Sequence, residues 1–160
     1  MIRVATNEDV EQMLVLWRQL ENAQGPFRVF PLAHGAEAKV AHDLSEALEN
    51  PDARIVVADD AGTLVGMAVG WFNARAGHLD TQPLADLARV VVSPDRRGEG
   101  IGVALVGDIE DWARARGARW LQAHLFSGNE HGRAFWEHVG FIPRYEARVR
   151  QIAPREGDPT

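Results

Sequence analysis

Val90-Val91-Val92-Ser93-Pro94-Asp95-Arg96-Arg97-Gly98-Glu99-Gly100-Ile101-Gly102 is the stretch on which the reading of this chain turns. Three consecutive valines have the composition of a strand end, and Ser93-Pro94 stops it because proline cannot donate to a ladder. The glycines then open a helix over residues 100–116. It carries Ile101, Leu105, Ile109 and Trp112 on one face, arginines in its last turn and Gly117 as its stop. A strand that runs through glycines into a helix gathers unpaired backbone N–H groups and the positive end of a helix dipole at one point, which suits an anion. Without Cβ atoms, a pyrophosphate can lie directly on that backbone. The same pattern also serves a turn that needs glycine only for its tight geometry. A dinucleotide fingerprint would need a further glycine at position 103 or 105, where Val103 and Leu105 stand. A Walker-type phosphate loop is excluded because Lys39 is the only lysine and no Gly-Lys-Ser/Thr occurs.

Outward from this stretch, strand and helix signals follow one another without a repeat, a low-complexity block or a linker. Residues 2–5 read as a strand, and Asn7 or Asp9 can cap a helix whose apolar positions are Val10, Met13, Leu14, Trp17 and Leu20. Gly25-Pro26 and Pro31 mark a loop. Val40, Leu44, Ala47 and Leu48 then give a short acidic helix that ends at Asn50-Pro51. Residues 54–59 and 63–72 form two strands joined through Asp60-Ala61-Gly62, the composition of a hairpin turn. Residues 85–92 and 120–126 are further strands and residues 129–139 a further helix. From Phe141 a last strand or hairpin is expected, fading into a Pro/Gly/Asp tail.

Arg97-Gly98-Glu99-Gly100-Ile101-Gly102 resembles the Arg/Gln-x-x-Gly-x-Gly/Ala motif of the GNAT N-acetyltransferase superfamily, preceded by its Val-x-Pro strand end. Asn129 followed by Ala134-Phe135-Trp136-Glu137-His138-Val139-Gly140-Phe141 is similar to that family's second motif, Asn-x-x-Ala-x-x-x-Tyr-x-x-x-Gly-Phe, at its usual distance from the first. The opening strand, the two-helix segment and the hairpin also lie where the family places them. The resemblance implies an α/β fold: a mixed, mostly antiparallel twisted sheet of six to seven strands with about four helices on both faces. One domain would span residues 1–153, with 154–160 as a tail. The sheet would split into a V between the strands ending near Val92 and Phe126, and acetyl-CoA would sit in it. By residue match, backbone groups of Val90, Val91 and Val92 would pair with the pantetheine arm. The amides of Arg97, Gly98, Glu99, Gly100, Ile101 and Gly102 would hold the pyrophosphate, and Asn129 would contact the cofactor from the neighbouring helix. A pantetheine amide can extend a strand edge as a peptide does.

Two residues depart from the family pattern. Trp136 takes the catalytic, cofactor-facing position where the family has a tyrosine whose hydroxyl can protonate the departing thiolate. An indole N–H donates a hydrogen bond but keeps its proton near neutral pH, so His131, His124, Tyr145 or solvent would have to supply one. Gly132 stands where the motif expects alanine and loosens the first turn of its helix by about 1 kcal/mol.

The reaction needs a neutral amine, yet an alkylamine has a pKa of about 10, so a base must take a proton. Asp86 is the first candidate. Period-two alternation puts Asp86, Ala88, Val90 and Val92 on one face of their strand. Asp86 also matches, allowing for a turn two residues shorter, the strand carboxylate that histone-type family members use as base. His124, at the end of the strand lining the other side of the V, and His78, in the preceding loop, are candidates by intrinsic pKa. A solvated strand-start Asp and ordinary surface histidines are the plain alternatives. No metal site is expected: His-Glu-x-x-His is absent, and His124, His131 and His138 are spaced by seven. Trp17, Trp71 and Trp112 lie on apolar faces and read as core.

Composition narrows the function class. The 160 residues suffice for one core, and 46% apolar with 25% charged residues is ordinary for a globular chain. The longest apolar stretch, nine residues from 64 to 72, is too short to cross a bilayer, and no secretory leader is read at the start. Zero cysteines exclude disulfides and a cysteine nucleophile and fit a reducing compartment, so a cytoplasmic protein is expected. A net charge of −6 argues against nucleic acid or an anionic membrane as partner. Residues 1–88 hold 13 acidic against 6 basic residues, and residues 89–160 hold 10 against 11. The acidic half includes Glu21, Glu37, Asp43, Glu46, Glu49, Asp80 and Asp86, in the region where the family sets specificity. An acidic mouth there would attract a cationic amine such as a polyamine, an amino sugar or a protein N-terminus; a small molecule is the first expectation, with a protein N-terminus or lysine as the alternative. A solvated helix face is the plain alternative. The expected activity is direct acetyl transfer from acetyl-CoA to that amine, in a chain that can form a homodimer. The rival expectation is a non-catalytic acyl-CoA binding module, favoured by Trp136.

Overall fold

A computed structural model describes residues 1–73, 83–144 and 146–150. Five strands form one sheet in chain order: β1 (Ile2–Val4), β2 (Ala53–Asp60), β3 (Thr63–Asn73), β4 (Leu84–Val92) and β5 (Trp120–Ala123). The first three pairings are antiparallel and β4–β5 is parallel, so the sheet is mixed and mostly antiparallel. Helices α1 (Val10–Gln24) and α2 (Ala36–Glu49) cover one face, and α3 (Ile101–Ala115) covers the other. Helix α4 (Glu130–His138) joins the α3 side through Phe135 and Trp136.

Alternation along the central strands divides the core into two layers. Ile55, Val57, Met67, Val69 and Val91 meet Met13, Leu16, Trp17, Val40 and Leu44 under α1 and α2. Val56, Ala58, Val65, Ala68 and Leu87 meet Leu105, Val106 and Ile109 under α3. Burial on both faces explains why β2 and β3 read as nearly unbroken apolar runs. Trp17 is buried in the first layer, and Trp71 and Trp112 pack against the first and second, as the sequence indicated.

Local chemistry sets the element ends. Ala61 and Gly62 both take positive φ, 51° and 90°, which makes the β2–β3 connection a tight two-residue turn, and the Gly62 N–H donates to Asp59 Oδ1 at 2.7 Å. Thr6 caps the 3-10 turn Asn7–Asp9, and Asp9, one of the two expected caps, stands at the N-cap position of α1 without a side-chain cap bond into it. The Thr6 N–H donates to Asp9 Oδ2 at 2.8 Å, while Arg3 forks onto both Asp9 oxygens at 2.7 and 2.8 Å. The Arg3 guanidinium above all, helped by the Thr6 amide, holds the buried Asp9 carboxyl down to about 2 against the opposing effect of burial. Helix α2 is longer than the short helix expected, because Gly35 at φ 73° turns the chain straight into it.

Three features differ from the sequence expectation. The described residues hold five strands rather than six or seven. Residues 141–144 and 146–150 form none, Pro143 having no N–H to donate and charged residues following at 144, 146, 148 and 150. Strand β5 ends at Ala123 instead of residue 126, because its partner turns away there: the β4–β5 ladder stops at Leu87–Ala123. The third difference is the cause of the second. Val69 pairs with Arg89 but Gly70 pairs with Leu87, so Ala88 is an extra residue in β4, a β-bulge. The bulge inverts the alternation. Asp86, opposite Trp71, lies on the α1/α2 face, while Val90 and Val92 pack on the α3 face, so the expected common face of Asp86, Ala88, Val90 and Val92 is broken. Gly70 is at the bulge for a steric reason: a Cβ there would lie 2.7 Å from Ile109 Cγ2 of α3.

Candidate functional site: the split between β4 and β5

Beyond Leu87–Ala123 the two parallel strands separate, and the β5-side edge of Val90, Val91 and Val92 takes part in no ladder among the described residues. The Val92 carbonyl accepts a long hydrogen bond from Arg97 Nε at 3.3 Å. A strand edge opened in this way offers main-chain donors and acceptors to an extended ligand.

At the end of β4 the chain crosses a 3-10 turn, Pro94–Arg96, and enters α3 through glycines. Gly98 and Gly100 sit at φ 82° and 79°, where side chains are strained, and a Cβ on either would enter open space. The first α3 bond runs from the Ala104 N–H to the Gly100 carbonyl at 3.0 Å, so the amides of Ile101, Gly102 and Val103 have no partner within the helix. Gly102 has a different reason: its Cβ would lie 3.0 Å from the Phe135 ring, so it lets α4 close onto α3. Glu99, the acid in this turn, is drawn aside by Arg96 Nε at 3.0 and 3.1 Å, and Arg96 also pairs with Asp60. The result is a cradle of free amides at the positive end of a helix, with its neighbouring acid neutralised.

Helix α4 closes the far side. Asn129 is its cap, accepting from the Gly132 N–H at 2.8 Å, so Oδ1 of the residue expected to touch a cofactor is engaged in holding the helix. Gly132 is not a loosening substitution. Its Cβ would lie 2.7 Å from Leu125 Cδ1 and 2.8 Å from Asn129 Nδ2, so the cap closes over it. Trp136 packs edge-to-face between Phe135 and Phe141, with ring centroids 5.0 and 4.9 Å away. The tyrosine position of the motif is thus part of an aromatic cluster.

Asp86 lies at the neck of the split, on the face opposite the glycine cradle's helix. Its Oδ1 accepts from Gln122 Nε2 at 2.7 Å and its Oδ2 from Asn73 Nδ2. Gln122 Nε2 also lies 3.2 Å from His124 Nε2. Asp86 and His124 are therefore brought together through Gln122, which the sequence reading missed. The strand alternation placing Gln122 and His124 on one side of β5 was the available signal. His131 is exposed on α4, and His78, Asp80 and Tyr145 lie outside the described residues.

The acids of α1 and α2 are largely engaged. Glu37 takes Arg18 at 2.6 Å, Glu21 takes Arg28 at 3.3 Å, Asp43 takes Lys39 at 2.9 Å, Glu46 faces His42 at 3.5 Å, and Glu49 accepts from Asn7 at 3.1 Å. Arg18, Arg28 and Lys39 thus offset Glu37, Glu21 and Asp43 of the expected acidic mouth, while Glu46 and Glu49 meet a histidine and an amide rather than a fixed cation. The α1–α2 connection reaches the split, since Phe27 Cδ1 would lie 3.1 Å from a Cβ on Gly128, in the β5–α4 loop. Two shallow depressions are present: one of about 270 Å³ between Met1, Asp60 and the start of α3 at Glu99, Gly100 and Ile101, and one of about 300 Å³ between α1 and α2. Among the described residues no His/Asp/Glu group could hold a metal ion, and no helix is long and apolar enough to cross a membrane.

The model of the Acetyltransferase (GNAT) family matches residues 16–141. A mutant of the BH1408 protein from Bacillus halodurans superposes with a TM-score of 0.85 at 18% identity, covering 96% of this chain and 99% of that one. An aminoglycoside 6'-N-acetyltransferase, AAC(6')-IG from Acinetobacter haemolyticus, gives 0.76 at 17% identity over 97% and 99%. Aminoglycoside N-acetyltransferase AAC(6')-Iy in complex with CoA gives 0.76 at 18% identity over 95% and 93%.

Proposed function

The chain belongs to the GNAT family of acetyltransferases, and from that premise we propose that it transfers the acetyl group of acetyl-CoA to a primary amine of a small molecule by direct attack. The observation that carries this reading is the opening of β4 from β5 at the Ala88 bulge, with the amide cradle of α3 on one side and Asp86 on the other. The cradle fits the diphosphate of CoA, because the positions where Cβ atoms would project at Gly98 and Gly100 are open and the amides of Ile101, Gly102 and Val103 are free. The freed edge of Val90, Val91 and Val92 suits the amides of the pantetheine arm, and AAC(6')-Iy, which shares the fold, was crystallised with CoA.

In the transfer, the amine nitrogen bonds to the acetyl carbonyl carbon, the carbon–sulfur bond breaks, and the pair of electrons leaves on the CoA sulfur. Asp86, held by Gln122 and Asn73, takes the proton that the ammonium must lose. His124 is linked to it through Gln122. The second N–H proton, lost as the adduct collapses to the amide, passes to solvent, and solvent protonates the thiolate, since Trp136 has no acidic hydroxyl and its ring is packed between two others. That packing is also the observation favouring a second reading, a protein that holds acyl-CoA without turnover.

Thiol release from acetyl-CoA, followed with a thiol-reactive dye across polyamines, amino sugars, amino acids and short peptides, tests the proposal. The protein has no cysteine and is silent in the assay. Amine-dependent release is the expected result. Tight CoA binding without release from any amine would replace it with the second reading.

A further inference from the structure

The bulge that moves Asp86 to the α1/α2 face brings Arg89 to the same face, because Arg89 pairs with Val69 of that layer and Asp86 with Trp71. An acid and a guanidinium thus stand three residues apart on one side of β4, beside the split. In a strand without the bulge, residues three apart point to opposite faces. Arg89 is half-buried and makes no hydrogen bond or ion pair among the described residues, whereas most of the surrounding charges are matched. Its nearest charged neighbourhood is α2: Lys39 first, and Arg89 and His42 by charge alone, hold the Asp43 carboxyl below the usual range. Lys39 already donates to both Asp43 oxygens, at 2.9 and 3.3 Å, so Asp43 does not fork onto Arg89.

Resting on the acetyl-transfer reading above, we propose that Arg89 receives a carboxylate of the acceptor, so that the amine acetylated belongs to an amino acid. The substrate's ammonium faces Asp86 and its carboxylate faces Arg89. A guanidinium fork suits a carboxylate in a way a single lysine charge does not.

The test compares amino acids with the matched amines that lack the carboxylate, in the thiol-release assay and by calorimetric titration into protein saturated with CoA. In the unaltered protein the amino acids have the lower KM. In Arg89→Gln the ratio of kcat/KM between amino acid and matched amine falls about 10- to 100-fold, the loss expected of a charge-assisted hydrogen-bonded pair. Arg89→Lys falls by less, and its circular dichroism and melting curve check that both variants fold. Turnover of matched amines in preference to amino acids, or a ratio unmoved in Arg89→Gln, overturns the inference and leaves acetyl transfer standing. No release from either class overturns acetyl transfer instead. Calorimetry then decides the inference alone: amino acid heat lost in Arg89→Gln sustains it, and no amino acid heat in the unaltered protein overturns it.

Discussion

The two faces of the split sheet are built by different means. On the α3 side the proposed ligand surface is main chain: amides of Ile101, Gly102 and Val103 without a partner in the helix, reached through glycines whose φ angles of 82° and 79° disfavour side chains. On the α1/α2 side the proposed surface is side chain: Asp86 and Arg89 of β4, brought to one face by a single inserted residue, with Gln122 of β5 and His124 just beyond it. A main-chain site depends on local backbone conformation, and a side-chain site depends on register. The first tolerates changes elsewhere in the fold, and the second is lost if the bulge is lost.

Asp86→Asn strikes the second surface hardest. Removing a positioned base costs about 1,000-fold in kcat, and the acid limb of the pH–rate profile should go with it. CoA affinity, measured by calorimetry, should stay within about twofold, because the residue lies on the other face. An unchanged profile would remove Asp86 as base. Gly100→Asp is the mirror experiment. It places a negative charge over the free amides and adds about 1 kcal/mol of left-handed strain, so CoA affinity should fall at least about 100-fold. CoA binding unchanged in that variant would move the diphosphate away from α3.

This division also explains what the sequence disclosed. The glycine turn was legible because positive φ selects glycine locally, and the two motifs placed α3 and α4 correctly. Asn129 was expected to face a cofactor, whereas its Oδ1 caps α4 by accepting from the Gly132 N–H, a contact that only the fold reveals. The bulge was not legible: Leu87-Ala88-Arg89 contains neither glycine nor proline, and Gly70, which stands opposite it, is explained by the close approach of Ile109 of α3. Strict alternation therefore put Asp86 on the wrong face, and Arg89 was not considered at all. The ion pair of Arg18 with Glu37 spans two helices, so the acidic appearance of α2 could not be discounted from composition.

Gly70→Ala tests whether the bulge and the close seating of α3 are one feature. A Cβ placed 2.7 Å from Ile109 Cγ2 must push the helix or the strand, and overpacking of this kind costs about 1–3 kcal/mol. Chemical denaturation should show that loss, and activity should fall beyond it because the Asp86 face depends on the local register. A smaller effect belongs to the start of α1, at the edge of the α1/α2 layer. The Asp9 carboxyl is held at about 2 in the folded protein against an ordinary 3.8, so its contribution is present above pH 4 and is lost as pH falls through 3.8 toward 2. The shift corresponds to about 2 kcal/mol. Asp9→Asn should cost about that much at neutral pH and flatten the acid limb of the stability curve between pH 4 and 2.

Gly107→Ala should have the smallest effect and separates stability from either surface. Gly107 lies in the middle of α3, at an ordinary helical conformation, and a Cβ there meets nothing within 4 Å. Alanine removes the entropic cost of glycine in a helix, about 0.8–1 kcal/mol, and a change of that size raises the Tm of a chain this long by roughly 2–4 °C. The helix that carries the amide cradle is thereby stiffened without altering the cradle, whose φ angles are set seven and more residues earlier. If the two surfaces are built as described, CoA affinity and kcat should both hold while Tm rises. A weakened CoA affinity would mean that the cradle needs α3 to flex, and the contrast between a rigid main-chain surface and a register-dependent side-chain surface would then have to be redrawn.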